Sequence, residues 1–557
     1  MAELECFCYG AGHGDEGICL SLSIGPYFVL LDCGLTDIAP LLFSPLARQI
    51  DAVICSNAQG DHSRGIWNLQ QQLRDLPIYA SVVTSRLLSI QRLGEDGFPG
   101  TIALDWRSPT EICPGLTLQF WPAGHLPGAA CALLSYDSSG ERHSSSPRFK
   151  RRRQVLYTGD CMVSSSRLVD GMPLGELSGL KPDVLIIDGS YGISRSARRK
   201  KQESQLAEIV LGGIAQGRSI ILPTPRLGLG QELLMLFRSH HHFTGKDVDI
   251  WVSPGIAAGC DAYLDLVDHF PSSVQNFARH QPLFLDDRVL PHVYRLENQN
   301  PETLAAIAQR TPSVFLVEAP ITPSFFLNHS FKAQRNQWLI LLSHHPNEDQ
   351  YQTFLTHLHS APQNHNIVVE EDLIQPVSYS LGSHCDGPVT MQVIHSIRPQ
   401  HLIFVHGKPH FLLDLAGQEE LQNRYQIHLP AQNKSIELPV GDRFIQPDPP
   451  SLNYRGELTA LQTTILLTLD PSIQDDVRWQ AFADTGLIKA RWQGNDLLIT
   501  GIPAPDVAQG SRQVPPFPIA CCEYCAYYRN RRCWNDESSL FGLQVTPEGS
   551  CPVFKSI

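Results

Sequence analysis

Histidine and aspartate side chains follow predicted strands at several points of the chain, which is where metal ligands are commonly held. The loop Ser56–His62 comes directly after an apolar strand that ends at Cys55, and it contains the pair Asp61 and His62. Because a loop at a strand end is held by a rigid scaffold, it can aim several ligands at one point. An isolated Asp-His pair is more often a cap or a surface turn than a metal site. The interpretation therefore depends on ligands from elsewhere in the sequence.

Three further fragments supply such ligands. His125 lies in a Gly-His-Leu-Pro-Gly segment, Asp160 follows the predicted strand Val155–Tyr157, and His406 follows the predicted strand Leu402–Val405. Imidazole and carboxylate groups are preferred zinc ligands, so the fragments together predict a metal centre at the ends of several strands. The alternative is that these residues form a hydrogen-bonded polar cluster without an ion, because buried ligands can satisfy one another.

A second candidate metal site lies in the last 37 residues, which contain five of the fifteen cysteines. A unit this small buries little core and commonly needs a metal or disulfides to fold. Four thiolates suit zinc or an iron–sulfur cluster, and the choice between them is open. The order of the cysteines loosely resembles high-potential iron–sulfur proteins, but their spacing does not match. The predicted ligands are Cys522, Cys525, Cys533 and Cys551, with Cys521 as a substitute.

Two basic runs, residues 148–153 and 195–201, are the candidates for contact with nucleic acid. The formal net charge of −13 excludes a generic basic coat, so any such site must be a local patch. Because both runs flank the proposed centre in sequence, we expect them to line one approach to it. A solvated loop and a solvated helix face are the alternative interpretation. The arginines predicted to contact nucleic acid are Arg151, Arg152, Arg153, Arg198 and Arg199.

The elements that position these residues belong to a chain too long for one core. A length of 557 residues predicts about three structural units. In the first third, short β-rich runs such as Tyr27–Leu31 alternate with turns and occasional helices, which is an α/β layered pattern. The predicted strand Ser219–Leu222 and helix Gln231–Phe237 then indicate a second sheet with parallel pairing. The adjacent histidines at 240–242 are interpreted as surface residues.

The order and spacing of the ligand motifs resemble the metallo-β-lactamase superfamily. Its signature is His-x-His-x-Asp-His, then a Gly-His, then an aspartate after a strand, and an early aspartate is matched by Asp32. The segments Ile187–Gly192, Gly382–Asp386 and Val405–Gly407 are similar to three motifs of its β-CASP branch, which processes nucleic acids. The resemblance covers about residues 5–415. It implies an α/β fold, the metallo-β-lactamase αββα sandwich with an inserted β-CASP α/β domain, followed here by a small C-terminal unit and a cysteine-rich tail.

The domain boundaries follow from this resemblance and from changes in composition. We expect a discontinuous metallo-β-lactamase-like domain, a β-CASP insertion, a small α+β unit, a Pro-rich linker and a cysteine-rich metal-binding tail. The discontinuous domain spans residues 1–190 together with 375–445, and the insertion spans 191–374. The small unit spans 446–503, the linker 504–520 and the tail 521–557.

The resemblance also implies two metal sites that share Asp160. In the family, two loop histidines hold the first ion together with the Gly-His histidine, here His125. Asn57 and Gln59 occupy those two loop positions, and neutral amides are weak zinc ligands, so we expect the first site to be empty. His13 is a weak substitute ligand. The second site keeps a complete set of four ligands: Asp61, His62, Asp160 and His406.

Catalytic roles are carried over from the family residue by residue. His384 is expected to be the general acid for the leaving oxygen. A lone zinc ion can still acidify a water molecule if a coordination position stays open, but the loss of one ion removes much of the charge stabilisation of two-metal hydrolysis. The residues with expected catalytic roles are Asp61, His384, Asp188 and Asp32.

The leading hypothesis is an RNA-directed metallo-hydrolase-like protein of the ribonuclease J and cleavage and polyadenylation factor type. With one metal site lost, it is either a weakened nuclease or a non-catalytic RNA binder. The alternative is a pseudo-enzyme that acts as an assembly or redox-sensing subunit through its cysteine tail. Hydrolysis of a small thioester or phosphoester is a third hypothesis, which the β-CASP insertion disfavours.

The cofactors and partners follow from these hypotheses. We expect one Zn²⁺ at the second site, and Zn²⁺ or an iron–sulfur cluster in the tail. RNA is the expected partner, with DNA as the alternative, beside a protein partner and a homo-oligomer. The scattered single cysteines and a start without the basic-then-apolar pattern of a signal segment predict a cytoplasmic protein. Apolar runs too short to span a bilayer predict no membrane association.

Overall fold

Two seven-stranded sheets build the first of two units into which the chain divides, Met1–Asp442 and Arg443–Ile557. The structure is a computed structural model. It describes residues 4–14, 16–44, 49–88, 100–137, 152–321, 325–326, 338–344, 350–359, 375–439, 456–461, 464–469, 488–493, 496–501 and separate tail positions between 522 and 555.

The first sheet has the strand order β20-β1-β2-β3-β4-β5-β6. Neighbours from β20 to β3 pair antiparallel, and neighbours from β3 to β6 pair parallel. Its strands are β1 (Leu4–Ala11), β2 (Ile18–Ile24), β3 (Tyr27–Leu31), β4 (Ile50–Ile54), β5 (Ile78–Ser81), β6 (Ile102–Leu104) and β20 (Lys434–Glu437).

The second sheet has the strand order β19-β18-β11-β10-β9-β8-β7. The four strands from β19 to β10 run parallel, and the rest are antiparallel. Its strands are β7 (Thr110–Cys113), β8 (Leu116–Pro122), β9 (Ala130–Tyr136), β10 (Arg153–Tyr157), β11 (Val184–Asp188), β18 (His401–Val405) and β19 (Gln426–His428).

The two sheets share one apolar core because alternate residues of their strands point to the same side. Cys6, Leu20 and Ile54 of the first sheet are buried in one cluster with Val155 and Ile403 of the second. The outer faces of the sheets bury their remaining apolar residues in another cluster that includes helical residues. This stacking fixes the strand ends of both sheets relative to one another.

A third, six-stranded sheet is inserted between β11 and β18. Its order is β14-β13-β15-β12-β16-β17, and every neighbouring pair is parallel. The last strand lies just past residue 374, the expected end of the insertion. The strands are β12 (Ser219–Thr224), β13 (Asp249–Val252), β14 (His292–Arg295), β15 (Ser313–Glu318), β16 (Trp338–Ser343) and β17 (Gln375–Tyr379).

Helices connect the strands, as parallel pairing requires. The short helices among the described residues are α1 (Ala39–Leu42), α2 (Gly60–Ser63), α3 (Ile66–Gln72), α4 (Val82–Leu87), α5 (Leu174–Leu177) and α14 (Glu419–Gln422), with a 3₁₀ turn at Val267–His269. The longer ones are α6 (Arg199–Ala215), α7 (Leu229–Ser239), α8 (Pro254–Leu264), α9 (Ser272–His280), α10 (Pro301–Ala308), α11 (Gln350–His359), α12 (Gly387–Ile397) and α13 (Pro409–Ala416).

The second unit contains three antiparallel hairpins among its described residues: β21 (Gly456–Leu461) with β22 (Thr464–Leu469), β23 (Ile488–Gln493) with β24 (Asp496–Gly501), and β25 (Tyr528–Arg529) with β26 (Arg532–Cys533). The predicted linker 504–520 lies outside the described residues.

The structure confirms the α/β layered fold class. The predicted strand Tyr27–Leu31 has the same bounds as β3. The predicted strand Ser219–Leu222 is present and runs two residues further, to Thr224, and the predicted helix Gln231–Phe237 is present and is two residues longer at each end. Among the described residues, no helix has both the length and the apolar character that crossing a bilayer would need. The domain boundaries stay a prediction.

Candidate metal centre

The carboxyl ends of parallel strands from both large sheets meet at one edge of the stacked pair. The parallel strands concerned are β3 and β4 in one sheet and β10, β11 and β18 in the other. Each strand delivers a polar residue from its last position or from the loop that follows, which explains why the motifs recur at strand ends. In chain order these residues are Asp32, Asp61, His62, Asp160, Asp188 and His406.

Two of these residues adopt left-handed backbone conformations that are unusual for side chains other than glycine. The φ angles are 56° at Asp32 and 55° at His406. His406 is held there because its backbone N–H donates to the carbonyl of Ala11, with an N···O distance of 2.7 Å. Gly12 must lack a side chain, since a Cβ atom would lie 2.9 Å from Cδ2 of His406. Backbone strain of this kind is typical of functional sites.

Four side chains converge as the predicted second site: Asp61, His62, Asp160 and His406. One potential ligand atom from each lies within 4.8 Å of the others. The His62 Nε2 atom is 2.9 Å from Asp160 Oδ2, and His406 Nε2 donates a hydrogen bond of 3.1 Å to Asp61 Oδ2. Within the described part of the chain, His62 Nε2 and Asp160 Oδ1 are buried without a hydrogen-bond partner of proper geometry. Buried polar atoms rarely stay unpaired, so the set fits a divalent cation.

Behind this set, Asp32 orients His62. The Nδ1 atom of His62 donates to Asp32 Oδ2 over 2.8 Å, and the same oxygen accepts from the Tyr157 hydroxyl at 2.5 Å. Ser56 adds a backbone N–H and a hydroxyl at 2.6 and 2.7 Å. Such a carboxylate–histidine pair fixes the ring so that Nε2 faces the ion site. Asp32 is fully buried, which gives it a positioning role through His62 and not the substrate contact expected of a catalytic residue.

The predicted first site is closed by amide side chains. The Nε2 atom of His125 lies 2.9 Å from the amide of Gln59, at Oε1. Asn57 Nδ2 donates to Asp160 Oδ2 at 3.4 Å, and Asn57 Oδ1 accepts the Gln59 N–H at 2.9 Å. His13 does not replace a ligand, because its ring nitrogens lie 3.0 and 3.1 Å from the carbonyl oxygens of Gly407 and Pro430.

The proton on His125 is fixed by its surroundings. Burial lowers the pKa of His125 to about 4, so the ring is neutral at pH 7 and carries one proton. The carbonyl oxygen of Ser383, 2.9 Å from Nδ1, can only accept, which places the proton on Nδ1. Nε2 then accepts from the Gln59 NH₂ group, since an amide can present either end. His125 therefore keeps the tautomer of a metal ligand while an amide occupies its ligand atom.

The charge state differs at the second site. Burial alone would lower the pKa of His62, but the surrounding carboxylates, Asp160 foremost, raise it well above its usual range. The pKa of His406 is raised in the same way, despite its burial, chiefly by Asp160. Burial would raise the pKa of Asp61, but His62 and His406 bring it to about 2. The buried carboxylates thus hold excess negative charge that either imidazolium groups or a metal ion must balance.

A second histidine–carboxylate pair lies beside the ligands. His384 Nδ1 donates to Asp188 Oδ2 over 2.7 Å, and this carboxylate, against the effect of burial, raises the pKa of His384. Ser190 joins the pair to the ligand set, because its hydroxyl donates to Asp188 Oδ1 at 2.5 Å and lies 2.6 Å from His406 Nδ1. With Nδ1 occupied, Nε2 of His384 is the atom that can deliver a proton to a bound molecule.

Asp61, His406 and His384 line a cleft of about 900 Å³ between the large sheets and the inserted sheet, and His62 and Asp160 are buried behind them. Four basic side chains line it: Arg64, Arg199, Arg226 and Lys408. Arg199, one of the arginines predicted to contact nucleic acid, forms ion pairs with Glu203 and Glu232 at 3.3 Å each. Its charge is therefore already balanced by carboxylates of the protein. Arg198, at the start of α6, is exposed.

The other basic run is not brought to the cleft. Arg153 is the first residue of β10, whereas Asp160 follows the opposite end of that strand. A rise of about 3.3 Å per residue separates the two strand ends by roughly 13 Å or more. Arg152 precedes Arg153 and contacts Thr117 at 3.5 Å, and Arg151 lies outside the described residues. The expected common approach therefore does not include the described arginines of this run.

The histidines at 240–242 lie close together, but they form a hydrogen-bonded helix end. Potential ligand atoms of the three rings lie within 4.8 Å of one another. The Nδ1 atom of His240 accepts the backbone N–H of His242 at 3.3 Å, and its Nε2 atom contacts the Ser204 hydroxyl at 3.5 Å. His240 is buried, so the prediction of three surface residues is wrong for this one.

In the tail, Cys522, Cys525 and Cys533 are buried and form no disulfide among the described residues. The backbone N–H of Cys525 donates to the carbonyl of Cys522 at 3.0 Å, which is a tight Cys-x₂-Cys turn. Cys533 ends β26 and packs in one cluster with Cys522. The other predicted ligand, Cys551, and its substitute Cys521 lie outside the described residues.

Sequence reasoning missed Ser190, Ser56 and Tyr157. Ser190 lies inside a recognised motif, two residues after Asp188, and that spacing permits a shared hydrogen bond. Tyr157 ends a buried strand, and a buried tyrosine hydroxyl needs a polar partner. That need could have indicated a hydrogen bond to a buried carboxylate such as Asp32. Ser56 carries no signal beyond its place at a strand end.

Comparison with known proteins agrees with this architecture. The sequence profile of the beta-lactamase superfamily domain matches residues 27–200. The chain is 41% identical to an uncharacterized protein, sll0514, of Synechocystis sp., over 100% of this chain and 98% of that protein. It is 27% identical to ribonuclease TTHA0252 of Thermus thermophilus, covering 48% of this chain and 62% of that one. A probable RNase MJ4 of Methanocaldococcus jannaschii is 24% identical over 43% of this chain and 57% of its own length.

Stacked mixed sheets with histidine and aspartate ligands at one edge define the metallo-β-lactamase class of fold. The inserted parallel sheet separates Asp188 from His384 and His406 in sequence. An insertion at this point is the feature that distinguishes the β-CASP branch within the class. The chain belongs to the β-CASP branch of the metallo-β-lactamase superfamily. It spans about three fifths of the length of the two ribonucleases named above.

Proposed function

We propose that this protein is an RNA-directed phosphodiester hydrolase that works with one divalent metal ion and is therefore a weakened nuclease. The observation that carries the proposal is the complete ligand set, in which His62 Nε2 and Asp160 Oδ1 are buried without a hydrogen bond of proper geometry. RNA is chosen because two relatives are named as ribonucleases.

The ion would be held by Asp61, His62, Asp160 and His406, and zinc suits these ligands. When bound, it supplies Lewis-acid activation of water and charge stabilisation at phosphorus. The chain itself supplies the proton. His384, held by Asp188 and favoured in its charged form, donates from Nε2 to the leaving oxygen. Asp32 keeps His62 in its orientation throughout.

The cysteine tail is proposed to hold a metal of its own, zinc or an iron–sulfur cluster. Cys522, Cys525 and Cys533 are buried thiols in a small unit, and Cys551 is the expected fourth ligand. Thiolate ligands suit both metals, so zinc and iron must be measured together. A protein partner, a homo-oligomer and a cytoplasmic location stay part of the proposal.

A non-catalytic RNA binder or assembly subunit is the second candidate. One observation favours it: Gln59 occupies the ligand atom of His125, so the two-metal arrangement of an efficient hydrolase is blocked. In that case the tail, with its buried thiols, carries a redox-sensing or assembly function.

The deciding measurement is the zinc and iron content of anaerobically purified protein, compared with an Asp160→Ala, His406→Ala variant. The expected result is the loss of about one zinc per chain with tail metal retained, because the variant lacks two of four cleft ligands. A Cys522→Ser, Cys525→Ser variant is the matched control, which should lose only tail metal.

Cleavage of end-labelled RNA by the same proteins completes the test. Wild type should cleave slowly, and the Asp160→Ala, His406→Ala variant should not cleave. Unchanged metal content in that variant contradicts the ion site. Metal loss without any wild-type cleavage leaves the binder as the better description.

A further inference from the structure

The tail displays a basic hairpin beside its buried thiols. Strands β25 and β26 pair antiparallel, with Tyr528 opposite Cys533 and Arg529 opposite Arg532. The segment Tyr527–Trp534 contains three arginines and no carboxylate, in a chain with a net charge of −13. This segment therefore concentrates positive charge in an acidic protein, which is the pattern of a local polyanion site.

Two large aromatic side chains are held at the surface next to this hairpin. Trp534 is 48% exposed and Phe541 is 50% exposed. Their ring centroids are 6.0 Å apart and the ring planes are nearly perpendicular, at 87°. The backbone segments that carry the two rings are joined, because Cys533 and Phe541 form a parallel bridge and the Gly542 N–H donates to the Cys533 carbonyl at 2.7 Å. Exposed aromatic rings on a rigid support mark a binding surface.

Two of the arginines lie directly opposite one another in the hairpin. Like charges directly opposite one another destabilise a strand pair, and Arg529 faces Arg532. Arg532 is held in place by a 2.7 Å hydrogen bond from its NH1 atom to the carbonyl of Gly542, the residue after Phe541. On the other side of the hairpin, Lys555 Nζ lies 5.5 Å from the ring centroid of Tyr527. Residues directly opposite one another in an antiparallel pair lie on the same face, so the two guanidinium groups share one face of the hairpin.

We infer that this face of the tail, formed by Trp534, Phe541, Arg529 and Arg532, binds single-stranded RNA. The rings stack on unpaired bases, and the guanidinium groups contact the phosphates on either side. The choice of RNA as the nucleic acid rests on the proposed function. A protein partner fits less well, because rings that alternate with arginines match the alternation of bases and phosphates.

The test measures the binding of the full-length chain to a fluorescein-labelled oligouridylate of twelve nucleotides by anisotropy, with an oligothymidylate of equal length beside it. A Trp534→Ala, Phe541→Ala variant should bind oligouridylate about tenfold or more weakly, because two stacking surfaces are lost. The single variant Trp534→Phe keeps a ring at this position and leaves Phe541 intact, so it should keep most of the wild-type affinity. Phe43→Ala is the matched control, since Phe43 is an 88% exposed aromatic residue of the other unit.

The arginines are tested through the salt dependence. Arg529→Gln should lower the slope of log affinity against log salt concentration by about 0.7, the value for one phosphate contact on a single strand. Unchanged tail metal content in each variant shows that the tail still folds.

The outcomes separate this inference from the proposed function. Loss of affinity in the Trp534→Ala, Phe541→Ala variant but not in the Asp160→Ala, His406→Ala variant supports the tail site. Wild-type cleavage of RNA together with unchanged affinity in the aromatic variant overturns the tail site and leaves the proposed function standing. Equal weakening by Phe43→Ala overturns the tail site as well.

Discussion

The two halves of the candidate metal centre share one carboxylate and one scaffold, yet they differ in the charge and hydrogen bonding of their side chains. Around His125, amides occupy the ligand positions and the ring is neutral, with a pKa of about 4. Around His62 and His406, carboxylates raise the pKa of both rings, and two buried atoms lack a hydrogen bond of proper geometry. Amides at two ligand positions can thus fill the first half of the candidate site while the side chains of the second half keep the geometry of a ligand set.

The largest effect is expected from restoring the ligands of the first half. An Asn57→His, Gln59→His variant should bind a second ion, because His125 already has the tautomer of a ligand and Asp160 is shared. RNA cleavage should rise on the order of 10²-fold, since a second ion adds several kcal/mol of charge stabilisation. Metal content per chain and initial cleavage rates check this. An Asn57→Ala, Gln59→Ala control removes the amides without adding ligands, and a second ion in that control would contradict the argument.

A smaller effect should come from weakening the support of the second half. Asp32→Asn replaces the carboxylate that accepts from His62 Nδ1, so zinc affinity should fall roughly 10- to 100-fold. Competition with a chelator of known affinity measures this. Tyr157→Phe removes one hydrogen bond from the far side of Asp32 and should weaken zinc binding much less. Equal losses in both variants would mean that general damage to the fold, and not ring orientation, sets the affinity.

The smallest expected effect concerns the difference in charge between the histidines of the two halves. In the ion-free protein the pKa values of His62 and His406 are raised, so both rings are protonated at pH 7 and must lose their protons to bind an ion. Zinc binding should therefore release about two protons and should strengthen as pH rises. Titration calorimetry in buffers with different ionisation enthalpies counts these protons. A release close to zero at pH 7 would show that the second half is as neutral as the first.

The sequence predicted the scaffold better than the connections within it. Strand ends and ligand types were readable because each ligand follows a short apolar run, as at Cys55 and Val405. The positioning role of Asp32 could not be read, because it depends on a hydrogen bond between residues 30 positions apart. The basic run before β10 was expected near the ligands, but sequence proximity to Asp160 does not reveal at which end of a strand a residue lies. Arg64, Arg226 and Lys408, which line the cleft, are isolated in sequence and gave no charge run.

The insertion of a whole sheet between β11 and β18 affects how the protein is made. Val184 pairs with His401, so a strand pair at the centre joins residues 217 positions apart. Contacts of such high sequence separation form slowly, because loop closure must come before any gain from pairing. A chain emerging from the ribosome exposes Asp61, His62 and Asp160 long before His406 exists, and domains fold as they are completed. The fourth ligand of the proposed ion site therefore comes into place late in synthesis, after completion of the inserted sheet.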